Sequence, residues 1–142
     1  MFAQSSARTY RTNAVLTATP GQLVLMLYDA TLKALDQARE AFARPESDYR
    51  RIEVINTHLL KAQAIIAELQ SGLNVEAGGE VARTMQSLYE YHSRRLFEAN
   101  LRKQVEPVIE VERLVRELRD AWSEMLNKHT DTASREPFRS VA

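Results

Sequence analysis

The chain predicts an all-α fold, an antiparallel up-down-up-down four-helix bundle, and three observations carry that expectation. Apolar residues recur in alternating steps of three and four along four successive stretches of twenty-odd residues. Glycine and proline are scarce, four each, and Pro20, Pro45 and Pro107 punctuate those stretches instead of interrupting them. The links are short, which leaves little room for crossover connections. At 142 residues, 44% apolar and 27% charged, the chain is large enough to bury a real core as one domain.

The N-terminal segment comes first. Residues 1–18 are polar, mixed and without a sustained period, so they read as a mobile N-terminal arm, with Tyr10 an isolated aromatic ahead of Val15 and Leu16. Thr19-Pro20-Gly21-Gln22 then announces a helix. Threonine caps free amides, proline suits the first helical position, and Gln22 completes a capping-box spacing. Helix one is expected from Pro20 to Phe42, with Leu23, Leu27, Ala30, Ala34, Ala38 and Ala41 in one row and Val24, Tyr28, Leu35 and Phe42 beside it. Arg44-Pro45-Glu46 ends it, and Ser47 or Asp48 can cap the next.

Helix two is expected from Tyr49 to Leu73 and carries the cleanest seam: Ile52, Ile55, Leu59, Ala62, Ile66, Leu69 and Leu73. Leu60, Ala64, Ile65 and Ala67 widen that stripe toward the side that should meet water. A helix apolar on more than its core face usually has something further to touch. Asn74 to Glu80, with Gly78-Gly79, reads as a turn. Helix three then runs to about Lys103 along Val81, Met85, Leu88, His92, Leu96 and Ala99. Helix four starts near Pro107 with Val108, Val111, Val115, Leu118, Trp122 and Met125 as its seam. Arg113–Glu117 and Arg116–Asp120 can pair across its wet side. From Lys128 the sequence turns polar and aperiodic, which predicts a frayed tail. The expected organisation is therefore an arm over 1–18, a bundle over 19–127 and a flexible tail over 128–142.

Composition narrows the chemistry. Nineteen basic residues balance nineteen acidic ones, so net charge supports neither generic nucleic-acid binding nor attachment to anionic membranes. The absence of cysteine removes disulfides, thiolate zinc sites and cysteine nucleophiles, and fits a reducing cytoplasm. No stretch approaches eighteen apolar residues, so no membrane insertion is expected. The N-terminus lacks an apolar core of signal-peptide type, which makes a cytoplasmic location the expectation. A di-metal site in a bundle needs Glu-x-x-His, yet Ile55, Tyr89 and Leu126 precede His58, His92 and His129 by three. No cofactor, metal or catalytic constellation is expected, and the chain does not read as an enzyme. His92, in HSRRL, offers one alternative: a histidine phosphotransfer bundle in which Arg95 serves the phosphate, although the glycine that would open access is missing. Otherwise His92 is a packed core histidine. The surplus apolar surface of helix two points instead to a helical binder of another polypeptide, or to a homodimer interface. Tyr10 is either an ordinary exposed tyrosine or a cover that folds back on an apolar groove until a partner displaces it.

Four segments, in order and with compatible spacing, resemble the FliS family of flagellar secretion chaperones. They are TATPGQLVLMLYDATLKAL (Thr17 to Leu35), LLKAQAIIAELQSGLN (Leu59 to Asn74), GGEVARTMQSLYEYHSRRLFEAN (Gly78 to Asn100) and VERLVRELRDAW (Val111 to Trp122). Tyr10 falls where the family carries its N-terminal tyrosine. Ala30-Thr31 and His92-Ser93 depart from the family pattern, the latter on a groove wall. The resemblance implies a cytoplasmic four-helix bundle that binds the disordered C-terminal segment of flagellin, suppresses premature polymerisation and delivers the subunit to a component of the flagellar type III export gate. It leaves open a regulatory protein as second partner. By that implication Tyr10 is the cover, and Leu60, Gln63, Ala64, Ala67, Arg95, Leu96 and Asn100 are candidate client-binding positions. Tyr10 matches at motif level, and several of the others are placed by helical geometry.

Overall fold

The structure is a computed structural model that describes residue 9 and residues 12–141, with side chains through residue 129. Its described residues are helical with short connections: α1 (Pro20–Phe42), α2 (Arg51–Ser71), α3 (Val75–Arg102) and α4 (Glu106–Val141). A short helical run over 12–17 precedes them, closed by the Ala18 N–H on the Val15 carbonyl at 3.4 Å. Val15 and Leu16 on that run are exposed. This part of the expected arm is therefore helical in backbone; Tyr10 lies outside the described residues.

Local chemistry sets each end. Thr19 accepts from the Gln22 N–H at 3.2 Å while the Gln22 side chain accepts from the Thr19 N–H at 3.0 Å, so the capping box forms and α1 spans the expected residues. Asp48 does not cap α2 directly. Its carboxylate accepts from the Arg50 N–H at 2.9 Å two residues on, an Asx-type turn, and α2 starts at Arg51 without a side-chain cap. The expected turn over 74–80 is mostly helical instead. Asn74 caps α3 by accepting from the Ala77 N–H at 3.1 Å, and only Gly79 breaks the helix. Lys103 closes α3 in a left-handed conformation. The backbone of α4 continues past the expected boundary at 127 to Val141. Losing the apolar period removes a packing partner without forbidding helical backbone.

Neighbouring helices pack as α1 on α2, α2 on α3, α3 on α4 and α4 on α1. The core holds Tyr28, Leu32 and Leu35 of α1, Ile55, Leu59, Ile66 and Leu69 of α2, Tyr89 and Leu96 of α3, and Val108, Val111 and Val115 of α4. Small buried residues, Ala34, Ala38 and Ala41 on α1 and Ala62 on α2, let α1 and α2 approach closely, and that contact is the most extensive in the fold. Three seam expectations shift. Ile52 on α2 and Met125 on α4 sit beyond the core and are about half exposed. In α3 the buried row is Ala82, Tyr89, His92, Leu96 and Ala99; Val81 is 75% exposed, because the break at Gly79 leaves the following turn free to present Ala82 inward. Among the described residues no helix is long and apolar enough to cross a membrane.

Thr19→Ala removes the hydroxyl half of the capping box, leaving the Gln22 side chain on the N–H of residue 19, and is expected to cost about 1 kcal/mol of stability. The urea midpoint should fall with an unchanged slope; an unchanged midpoint would mean that the Thr19 hydroxyl adds nothing to the α1 start.

Candidate functional site

The α2–α3 surface is set by two polar ties. Gln63 Nε2 donates to the Ser93 carbonyl at 3.2 Å, and Asn100 Nδ2 donates to Asn56 Oδ1 at 2.8 Å. As α2 advances from 56 to 63, its partner in α3 retreats from 100 to 93. Leu60 lies between the ties on α2, at steps of four and three, and Phe97 holds the matching place on α3. Both face solvent, at 52% and 57% exposure, and Leu101 continues the α3 row one turn on. Ala64 and Ala67 are also exposed. The result is an open apolar row across two helices, low in profile where the alanines stand.

The eight expected binding positions thus separate. Leu60, Ala64 and Ala67 present apolar surface. Gln63 and Asn100 are half-buried and occupied in helix-to-helix ties, Asn100 also accepting from Lys103. Arg95 braces α3 to α4: its Nε lies 2.9 Å from Glu110 and its Nη1 2.8 Å from Glu98. The Tyr91 hydroxyl donates to the same Glu110 at 2.7 Å, and these two donors, Tyr91 first, hold that carboxyl below its usual range. Leu96 is fully buried in the core and offers no surface while the fold is closed. Leu96 thus keeps the seam place expected of it, and its neighbour Phe97 carries the exposed apolar face. The signal was present: Phe97 and Leu101 are an off-seam pair four apart, like Leu60 and Ala64 on α2.

A second apolar feature is a cleft of about 720 Å³ where the start of α1, the end of α2, the start of α3 and the middle of α4 converge. Val24, Leu27, Leu69, Met85, Leu118 and Trp122 line it, with exposed Val81 and Met125 also on its wall. Trp122 is fixed by its indole N–H, which donates to the Gly21 carbonyl at 2.8 Å. Tyr28 and Tyr89 also line the cleft, their hydroxyls 2.5 Å apart, so each buried phenol satisfies the other across α1 and α3. Further along their lengths, α1 and α4 are joined by charge: Arg39 and Arg116 hold the nearly buried Glu112 at 3.1 and 3.4 Å, and Arg119 holds Asp29 at 2.8 Å.

His92 is 1% exposed, edge-on to the rings of Tyr89 and Tyr91, and neither of its nitrogens has a hydrogen-bond partner among the described residues. A phosphoryl-accepting histidine must be reached by a donor protein, and this one is sealed, which removes the phosphotransfer reading. Burial lowers the His92 pKa from its ordinary 6.5, outweighing the opposing pull of Glu110. Burial likewise raises Tyr28 and Tyr89 above their ordinary 10.

These shifts give stability two edges. The fold disfavours the His92 imidazolium, so that contribution is full above pH 6.5 and is lost as pH falls below it. The fold equally disfavours tyrosinate, so that contribution is full below pH 10 and is lost as pH rises beyond it. His92→Phe, which removes two unpartnered nitrogens, is expected to keep or gain stability at neutral pH and to lose less than the wild type on acidification. His58, lowered in the same direction, leaves a residual acid edge. Urea midpoints at neutral pH and about two units below it test this; equal losses for variant and wild type would contradict it.

The profile of the family described as "Flagellar protein FliS" matches residues 3–129. The chain is 37% identical over 126 residues to the flagellar secretion chaperone FliS of Bacillus subtilis (strain 168), covering 89% of this chain and 90% of that protein. It is 32% identical over 145 residues to the protein of the same name from Salmonella typhimurium, covering 95% and 100%, and 37% identical over 131 residues to that from Escherichia coli (strain K12), covering 89% and 93%. With one continuous match over all but the two ends, this chain belongs to the FliS family.

Proposed function

We propose that this chain is a cytoplasmic export chaperone that binds the disordered C-terminal segment of flagellin, prevents its premature polymerisation and hands it to the flagellar type III export gate. It works by binding, without catalysis. The observation that carries the reading is the apolar row of Leu60, Ala64, Ala67, Phe97 and Leu101, displayed outside a core that is already complete. The names of the relatives, secretion chaperones over most of their length, support the same class of work.

In this reading the four helices form an antiparallel up-down-up-down bundle. Supporting it, contact pairs descend on one helix as they rise on the next, from Asn56–Asn100 to Gln63–Ser93 between α2 and α3, and from Gly21–Trp122 through Asp29–Arg119 to Arg39–Glu112 between α1 and α4. A client helix lies on the α2–α3 row, the small Ala64 and Ala67 admitting its backbone and Leu60 and Phe97 gripping its apolar side chains. Capture couples binding to folding: such a client buries on the order of 1,000–3,000 Å² and surrenders roughly 2–5 kcal/mol to ordering. The N-terminal segment that carries Tyr10 competes for this apolar surface and yields to the client.

Calorimetric titration with the C-terminal segment of flagellin from the same organism is expected to show saturable binding near one to one, with helicity gained by the segment. No heat at several temperatures, together with no co-elution, would overturn the reading. Ala64→Glu and Ala67→Glu should each weaken that binding roughly tenfold or more, about 1.4 kcal/mol, while stability stays within ~0.5 kcal/mol. Unfolding by either change would place that face in the core. Tyr10→Ala should keep or raise affinity for the isolated segment, because a competing cover lowers apparent affinity in proportion to its occupancy; a large loss would make Tyr10 a direct client contact.

A further inference from the structure

Gly78 and Gly79 interrupt α3 beside the apolar cleft. Gly79 has φ 58° and ψ −134°, a backbone state open to glycine and strained for residues with a side chain. A methyl there would meet nothing within 4 Å, so conformation and not space demands glycine. At Gly78 the reason differs. A methyl at that position would lie 2.6 Å from Ala82 Cβ, although positions four apart in an unbroken helix stand about 5–6 Å apart. The kink therefore folds the turn over 75–78 back against the next turn of α3. Ala77 and Gly78 before the break, and Val81 and Ala82 after it, line the same cleft.

We propose that the turn over 75–78 is a hinged lip on this cleft, pivoting at Gly79, and that straightening α3 through the kink opens the cleft. The two forms exchange comparable terms. Straightening restores regular backbone hydrogen bonding across the break. Folding back keeps Gly78 on Ala82 and the apolar wall complete. The two glycines favour the folded-back form by independent means, one through its dihedral angles and one through its lack of a side chain. The use of the lip, to vary how much apolar surface the client meets, rests on the chaperone reading; its motion does not.

Trp122 is the only tryptophan and lines the cleft, so its fluorescence reports the state of the lip. Gly79→Ala and Gly78→Ala are each expected to shift Trp122 emission to the red and to increase its quenching by acrylamide, with cooperative melting retained. Gly72→Ala is the control: that glycine also lines the cleft, has φ −79°, and a methyl there meets nothing closer than 3.6 Å. The proposal is overturned if either test variant leaves emission and quenching at the wild-type values, or changes them no more than the control does. Should a variant fail to melt cooperatively, ¹⁵N relaxation dispersion on the wild-type chain decides. Exchange at Ala77, Gly78 and Gly79, absent from the middle of α3, is expected, and flat profiles there would overturn the hinge. Neither readout uses flagellin, so an empty client titration would remove the chaperone reading and leave the hinge standing.

Discussion

Ile55, Leu59, Ala62, Ile66 and Leu69 of α2 are all buried, and that commitment fixes the rotation of the helix about its own axis. Each large member of the row contributes on the order of 1.5–3 kcal/mol by leaving water, so turning the helix to hide anything else would forfeit several such terms at once. Leu60, Ala64 and Ala67 are therefore held outside by the residues that hold their neighbours inside. The same logic acts on α3, where Leu96 and Ala99 in the core force Phe97 and Leu101 outward. The polar ties at Gln63–Ser93 and Asn56–Asn100 then lock the register between the two helices. An apolar row that its own helices cannot turn inward without breaking the core is the property a chaperone of a disordered client requires.

The charged residues serve the scaffold. Arg95, Tyr91 and Glu110 brace α3 against α4, while Arg39, Arg116 and Glu112, with Arg119 and Asp29, brace α1 against α4. Most of these pairs are partly exposed, so each adds little stability, and their use is to fix geometry. The cleft is lined in part by the Tyr28–Tyr89 pair, whose hydrogen bond lets two phenols sit in an apolar surround. Apolar surface is thus offered at two places, while the charged braces lie along the α3–α4 and α1–α4 contacts.

The sequence was legible where a rule is local. The α1 start could be read from Thr19 and Gln22, and the buried row of α2 from its period, because caps and seams depend on residues within one or two turns. It was less legible where the partner is distant. Gln63, Arg95 and Asn100 look free on a helical wheel, yet their partners lie on another helix or include one there, and spacing says nothing of that. The period puts Leu96 on the buried seam, where the structure has it, yet Leu96 is also among the candidate client-binding positions, while the exposed neighbour is Phe97. In α3 the seam was read through Val81 because Gly78-Gly79 was taken as an ordinary turn. The structure keeps a helical turn there and breaks it at one glycine, and beside that break Ala82 and not Val81 is buried, while His92, Leu96 and Ala99 keep their expected places in the seam. Tyr10, the most specific single residue in the family resemblance, lies outside the described residues.

The most direct test of client capture on the α2–α3 row is to map where the flagellin segment sits, by following amide and methyl resonances of the labelled chain as the unlabelled segment is added. The largest shifts are expected at Leu60, Ala64, Ala67, Phe97 and Leu101, with the Arg39–Glu112–Arg116 face silent. Shifts confined to that charged α1–α4 face, with the α2–α3 row unmoved, would contradict it.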